Sequence, residues 1–184
     1  TALGNPGSVS IAFGDFNGDN KLDILVDNYA SGSNVSIFLN RATSGTITAG
    51  SFSSSVLGIA SASEGVTVGD VNGDGKVDLV AASYVGNTVV SVLKNTSTST
   101  LSATFDRYVA YTDANGTAGF DGNNVSLADL NGDGMLDIIR CNYTTGNLSI
   151  FRNIQLNPPV ITSFSPTSGP ISTTVTITGF NFNA

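Results

Sequence analysis

Three nine-residue stretches of this chain carry acidic and amide side chains at alternating positions. The first is Asp15-Phe16-Asn17-Gly18-Asp19-Asn20-Lys21-Leu22-Asp23 and the second is Asp70-Val71-Asn72-Gly73-Asp74-Gly75-Lys76-Val77-Asp78. The third is Asp129-Leu130-Asn131-Gly132-Asp133-Gly134-Met135-Leu136-Asp137. Each sets a side-chain oxygen at positions 1, 3, 5 and 9, from Asp, Asn, Asp and Asp. Position 7 (Lys21, Lys76, Met135) can add a main-chain carbonyl. Hard cations such as Ca²⁺ take six to eight oxygens, and alternate-residue spacing in a tight loop delivers them. The fifteen residues at these positions are the candidate ligands, one ion to a loop and three Ca²⁺ in all.

The first half of each stretch is like an EF-hand loop. Position 12 departs from it, holding Val26, Ala81 and Arg140 in place of a bidentate Glu. The flanks read as strands, so a shorter loop within a β-hairpin is expected, closed by Asp23, Asp78 or Asp137. Gly18, Gly73 and Gly132 let the chain turn so that carboxylates converge, and Gly75 and Gly134 sit at a second sharp turn. Asn20 replaces the latter glycine in the first loop and tolerates the same left-handed backbone.

The competing reading is three Asx- and Gly-rich turns with no metal. Charge weighs against it. Three of the nine residues in each loop are Asp, and outside the loops the only acids are Asp27, Glu64, Asp106, Asp113 and Asp121. Crowded carboxylates repel one another unless a cation is present. Three Ca²⁺ would bring the net charge from −7 to about −1. Mg²⁺ fits less well, because it demands stricter octahedral geometry. The chain has no His and one Cys, which disfavours transition metals.

The elements that must hold these loops repeat with them. Loop starts are 55 and 59 positions apart. A short alternating stretch precedes each loop: Ile11 to Phe13, Val66 to Val68, Val125 to Leu127. Such alternation predicts a half-buried strand. A continuous apolar run follows (Ile24 to Val26, Leu79 to Ala81, Ile138-Ile139), which predicts a strand buried on both faces. A third strand runs from Val35 to Leu39, Val89 to Leu93 and Leu148 to Phe151, each ending near an Asn: Asn40, Asn95 and Asn153. Further strands are predicted at Phe52 to Leu57 and Phe105 to Tyr111, ahead of the second and third loops. Only ten residues precede Ile11, so the first unit is expected to lack its fourth strand. Four-stranded units at this period point to the blades of a β-propeller. Three blades do not close one, which implies a longer parent protein or copies that self-associate through open blade edges.

At these loops and flanks, over about residues 8 to 155, the sequence resembles the FG-GAP/VCBS repeats of integrin alpha subunits and secreted bacterial proteins. Phe13-Gly14 matches the name-giving dipeptide; Val68-Gly69 and Leu127-Ala128 are looser, and the Gly-Ala-Pro half is absent. The resemblance implies a seven-bladed calcium-binding propeller in the parent protein. The expected fold is all-β, with three propeller repeats over 1–157 (about 1–50, 51–104 and 105–157).

Residues 158–184 differ. Pro158-Pro159 marks a linker. Val160 to Pro170 and Thr174 to Phe180 resemble the opening of an IPT/TIG domain, an immunoglobulin-like sandwich, with Ser172-Thr173 where a Gly is usual. Two strands do not make a sandwich. This segment is expected to be loose or to pair with an exposed edge, the alternative being a disordered tail.

Composition bounds the function. Hydrophobic residues make up 40% and Gly numbers 21, a mix that favours packed strands and turns. A net charge of −7 without a basic patch disfavours nucleic acid and anionic membrane surfaces. No run approaches the about 20 apolar residues that span a bilayer. Cys141 stands alone, within a predicted strand, so no intramolecular disulfide forms. The chain starts at Thr1 and shows no signal peptide, which suggests a mature product or a fragment. Without His, the commonest general base is missing, and an enzyme is not expected. Asp106, Asp113 and Asp121 stand outside any motif.

The expected function is a calcium-binding, extracellular or cell-surface module for adhesion or for binding a protein or glycan. The alternative is a structural spacer, or an accessory domain of a larger secreted carbohydrate-active enzyme. Tyr29, Tyr84 and Tyr143 recur and are expected to pack in the core or between repeats, with ligand contact the lesser reading. The six Asn-x-Ser/Thr sequons (Asn34, Asn95, Asn115, Asn124, Asn142, Asn147) are read as chance in so polar a chain.

Overall fold

The computed structural model describes residues 7–8, 10–29, 32–43, 45–83, 89–112, 124–143, 146–154 and 160–180. Tyr84, Asp113, Asn115 and Asp121 lie outside the described residues. The chain is all-β and forms two compact units, Thr1–Asn153 and Ile154–Ala184.

The first unit holds three antiparallel sheets, none of them closed. The first contains β1 (Ile11–Gly14), β2 (Asp23–Asp27), β3 (Asn34–Asn40) and β4 (Phe52–Gly58), in that order. The second contains β5 (Ser63–Gly69), β6 (Asp78–Ser83), β7 (Val89–Leu93) and β8 (Val109–Thr112). The third contains β9 (Val125–Ala128), β10 (Asp137–Asn142) and β11 (Asn147–Phe151), and has three strands among the described residues. In each, the Asp-rich loop joins the first strand to the second. The pairs Gly14 with Asp23, Gly69 with Asp78 and Ala128 with Asp137 close the three hairpins at the same register.

The fourth strands belong elsewhere than expected. Phe52–Gly58 pairs with β3 along its whole length, so it completes the first sheet. The first repeat is therefore whole, and the third is the shorter one among the described residues. Order in the sequence did not show which neighbour a strand would bond to. The run from Phe105 to Tyr111 is a strand only from Val109; Phe105 makes an isolated bridge to Asn95.

The first strands β1, β5 and β9 lie side by side, so the sheets stack face to face. Leu25, Val35, Ile37 and Leu39 of the first sheet pack on Val66, Leu79, Ala81 and Leu93 of the second. Val80, Ala82, Val90 and Val92 point the other way and pack with Val125 and Ile138 of the third. The second sheet is thus covered on both sides, and every residue of β6 is buried. A large apolar side chain buried in this way contributes about 1.5–3 kcal/mol. The same two-sided burial was expected of β2 and β10. It does not hold there: burial alternates along β2, and in β10 Ile139 is half-buried and Cys141 exposed. Among the described residues of this unit, each outer sheet packs on one other sheet.

Two glycines mark the closeness of the stacking. A Cβ on Gly14 would stand 2.9 Å from Val77 of the next repeat, and one on Gly69 would stand 2.8 Å from Leu127 and Leu136. Of the recurring tyrosines, Tyr29 is half-buried and Tyr143 is exposed, so the expectation of packing fails for Tyr143, which lies in the outer repeat.

The second unit is a hairpin of β12 (Val160–Ser165) and β13 (Thr176–Phe180), with a register shift between Ile161 and Ser163. Its strands pair with each other, and no described residue in it from 160 to 179 is buried. Ser172, where a glycine was expected, has a left-handed backbone with φ 74°. That is the geometry for which glycine is the usual choice.

Candidate functional site

The three loops fold alike, because the same hydrogen bonds shape each one. The position-1 carboxylate accepts three main-chain N–H groups. In the first loop, Asp15 Oδ1 accepts Gly18 N–H (2.7 Å) and Asp19 N–H (3.1 Å), and Oδ2 accepts Asn20 N–H (2.7 Å). Asp70 and Asp129 repeat the pattern with Gly73, Asp74 and Gly75, and with Gly132, Asp133 and Gly134. The position-3 amide oxygen (Asn17, Asn72, Asn131) accepts the N–H of position 5. The position-5 carboxylate accepts the N–H of Lys21, Lys76 or Met135. Wrapping the chain this tightly requires left-handed residues at positions 4 and 6. Gly18, Gly73 and Gly132 have φ of 75°, 75° and 77°. At position 6, Asn20 has φ 63° beside 83° for Gly75 and 85° for Gly134, which bears out the substitution expected there.

The position-9 carboxylate has a different place. Asp23, Asp78 and Asp137 are buried, at the start of the second strand. One oxygen accepts the N–H of position 2 (Phe16, 2.9 Å; Val71, 3.0 Å; Leu130, 3.2 Å). The other accepts the N–H of Asn40 (2.7 Å), Asn95 (2.7 Å) or Asn153 (2.8 Å), just after the third strand. This carboxylate therefore ties the loop to the sheet beneath it.

Like charges gather in these loops. Burial, the largest cause, pushes the Asp23 carboxyl up; the Asn40 and Phe16 N–H groups oppose it, and the charges of Asp19 and Asp15 push it further up. Asp78 is raised in the same way, by burial first and then by Asp74 and Asp70 against the Asn95 and Val71 N–H groups. Asp129 is held below the usual range, chiefly by the Gly134 N–H. Cations stand close: Lys21 Nζ lies 3.9 Å from Asp19, and Arg152 lies 3.8 Å from Asp133.

The donor chemistry fits a hard cation: carboxylate, amide and carbonyl oxygens only, with mutual repulsion that a cation relieves. The loops bring Asp15, Asn17, Asp19, Lys21 and Asp23 together, and likewise Asp70 to Asp78 and Asp129 to Asp137. Their carboxylates are turned to main-chain N–H groups, and among the described residues no three acidic, His or Cys side chains stand in a metal-holding arrangement.

A second function lies in the recurring Asn, for which the sequence suggested no role. Asn95 Nδ2 donates to Val77 O in its own loop and to Phe16 O in the preceding loop, both at 3.0 Å. Asn153 Nδ2 does the same with Leu136 O (3.2 Å) and Val71 O (2.7 Å). Asn40 has its own-loop partner, Leu22 O (3.2 Å). These side chains clamp each loop to the next repeat. Their recurrence at one offset from the loops was the available signal. Of the sequons, Asn95 and Asn142 are buried; Asn142 Nδ2 donates to Ser149 Oγ and to Asn147 Oδ1.

Residues 70–140, from the start of the second loop through the third, match the family model of the FG-GAP-like repeat. Residues 159–184 match that of the IPT/TIG domain. No curated protein matches the chain.

Proposed function

We propose that this chain, which joins an FG-GAP-like repeat to an IPT/TIG segment, is a calcium-stabilised, non-catalytic module for adhesion or for binding a protein or glycan outside the cell. On this reading the three sheets are blades of a β-propeller. The observation that carries it is the threefold repetition of one oxygen-rich loop fold, with the same donors at the same positions. In each loop the ion would be held by the residues at positions 1, 3, 5, 7 and 9. Bound calcium supplies charge neutralisation. The chain's own residues supply the rest: Asp23, Asp78 and Asp137 anchor the loop to its sheet, and Asn95 and Asn153 transmit that order to the preceding repeat.

Because the loops lie at one end of the hairpins and are clamped in series, calcium would stiffen a row of loop tips. Such a row is a natural place for a protein or glycan to bind. The chain has no His, the commonest general base, which supports a non-catalytic role on this reading. An extracellular setting is part of this reading, because calcium outside the cell would fill even weak sites of about 10⁻⁴–10⁻³ M.

Thermal and chemical unfolding of the chain in calcium and in chelator tests the proposal. At calcium near one hundred times Kd, each site adds about 2.7 kcal/mol. An unfolding midpoint that is the same in calcium, magnesium and chelator would falsify it.

A further inference from the structure

Residues 94–108 join β7 to β8 in the second sheet and form a short finger that reaches across to the first loop. On the calcium reading above, on which this rests, we propose that the finger positions Asn17 for the ion in the first loop, so that the second repeat completes the first repeat's site.

The two sides of the finger are held together by hydrogen bonds. Asp106 N–H donates to Lys94 O (2.9 Å), Thr96 N–H to Thr104 O (2.8 Å) and Thr104 N–H to Ser97 Oγ (2.9 Å). Ser99 and Ser102 bridge near the tip, which leaves Thr100 and Leu101 at the turn. The root is fixed to both repeats. Lys76 Nζ donates to Ser97 O (2.9 Å), Ser97 Oγ donates to Phe16 O (2.8 Å), and the ring of Phe105 meets that of Phe16 edge-on with centroids 6.2 Å apart. The tip lies on the first repeat through two polar contacts. Thr100 O accepts Asn17 Nδ2 at 2.6 Å, and Leu101 O accepts Arg41 Nη2 at 3.0 Å. Thr100 and Leu101 are themselves exposed.

A carbonyl oxygen only accepts, so Thr100 decides which way the Asn17 amide is turned. Its nitrogen faces the finger. Its oxygen is left to the loop, where it accepts Asp19 N–H (3.2 Å). In the second and third loops the equivalent nitrogen donates within the loop, from Asn72 to Asp74 Oδ2 (3.0 Å) and from Asn131 to Asp133 Oδ2 (2.8 Å). There the amide and a cation compete for the position-5 carboxylate. In the first loop the finger removes that competition, and Asn17 is buried. Groups that orient a metal ligand from behind change metal affinity by about 10–100-fold.

Calorimetric titration of calcium into the full chain, one loop at a time, tests this. Asp74→Ala with Asp133→Ala leaves the first loop intact, and Asp19→Ala with Asp133→Ala leaves the second. Replacing residues 99–102 by two glycines removes the tip and keeps Asn95, Ser97 and Phe105. In the first background this change should weaken calcium binding about tenfold. In the second, binding should change by less than about twofold, because the tip does not touch that loop. The unfolding midpoint in chelator should hardly move, whereas a merely structural role would lower it. Arg41→Ala should also weaken first-loop binding, and Arg41→Lys should restore it by keeping a donor for Leu101 O. First-loop affinity that survives loss of the tip overturns the proposal and leaves the calcium reading standing. So does an equal loss at both loops, a loss matched by a fall of the chelator midpoint, or a first loop that binds no calcium while the second does. A wild-type chain that binds no calcium ends both.

Discussion

Ile37 and Ile150 are the same residue at the same place in the repeat, yet one is sealed between sheets and the other faces solvent. The second sheet and the third make the same contrast along whole strands: β6 is buried throughout, while β10 alternates. The two strands are similarly apolar over their first three residues. What differs is the number of neighbours. The comparison teaches that in a stack of like sheets, the value of an apolar residue is set by position in the stack.

The largest effect should come from truncating the two isoleucines. Ile37→Ala is expected to cost about 2–5 kcal/mol, by lost burial and a residual cavity. Ile150→Ala should stay within about 0.5 kcal/mol when measured by urea unfolding at low concentration. Equal losses would mean that the third sheet is covered in solution even when dilute.

Next comes the contrast inside one loop. Asp78→Ala strands two main-chain N–H groups and should cost about 3 kcal/mol even in chelator. Asp74→Ala, at an exposed loop tip, should leave the chelator midpoint nearly unchanged and reduce only the gain from calcium. If both variants act only in calcium, position 9 is a ligand without a structural role of its own.

The Asn clamps give a smaller effect. Asn95→Ala loses bonds to two loops and should cost about 2 kcal/mol, while Asn40→Ala, with one loop partner, should cost about 1 kcal/mol or less. Chemical unfolding of the two variants side by side reads the difference.

The smallest effect is with pH. Asp23, Asp78 and Glu64 are raised, Glu64 by burial and then by Asp27, so the folded chain binds their protons at higher pH than the unfolded chain. In chelator, these groups cost stability at neutral pH. That cost fades as pH falls from their raised values toward the ordinary carboxylate value of about 4. Asp129 is lowered and works the other way: its contribution is present above the ordinary value and lost below it. A chelated protein should therefore gain thermal stability on mild acidification and lose it in stronger acid. In calcium the mild gain should disappear, because protons then compete with the ion.

The sequence by itself determined the repeat, the loops and most of the strands. Asp, Asn and Gly act locally: an Asp side chain reaches main-chain N–H groups three to five residues on, and Gly or Asn supplies the left-handed turn within the same nine residues. Alternating apolar residues likewise mark a strand wherever it ends up. Only the tertiary structure decided which sheet β4 joined, that β6 alone of the second strands is buried throughout, that Asp23, Asp78 and Asp137 anchor the sheets, and that Asn95 and Asn153 reach back to the preceding loop. Those outcomes depend on contacts between residues far apart in the chain, some across as many as 82 positions. A local pattern of residue types carries no record of which distant surface will cover it.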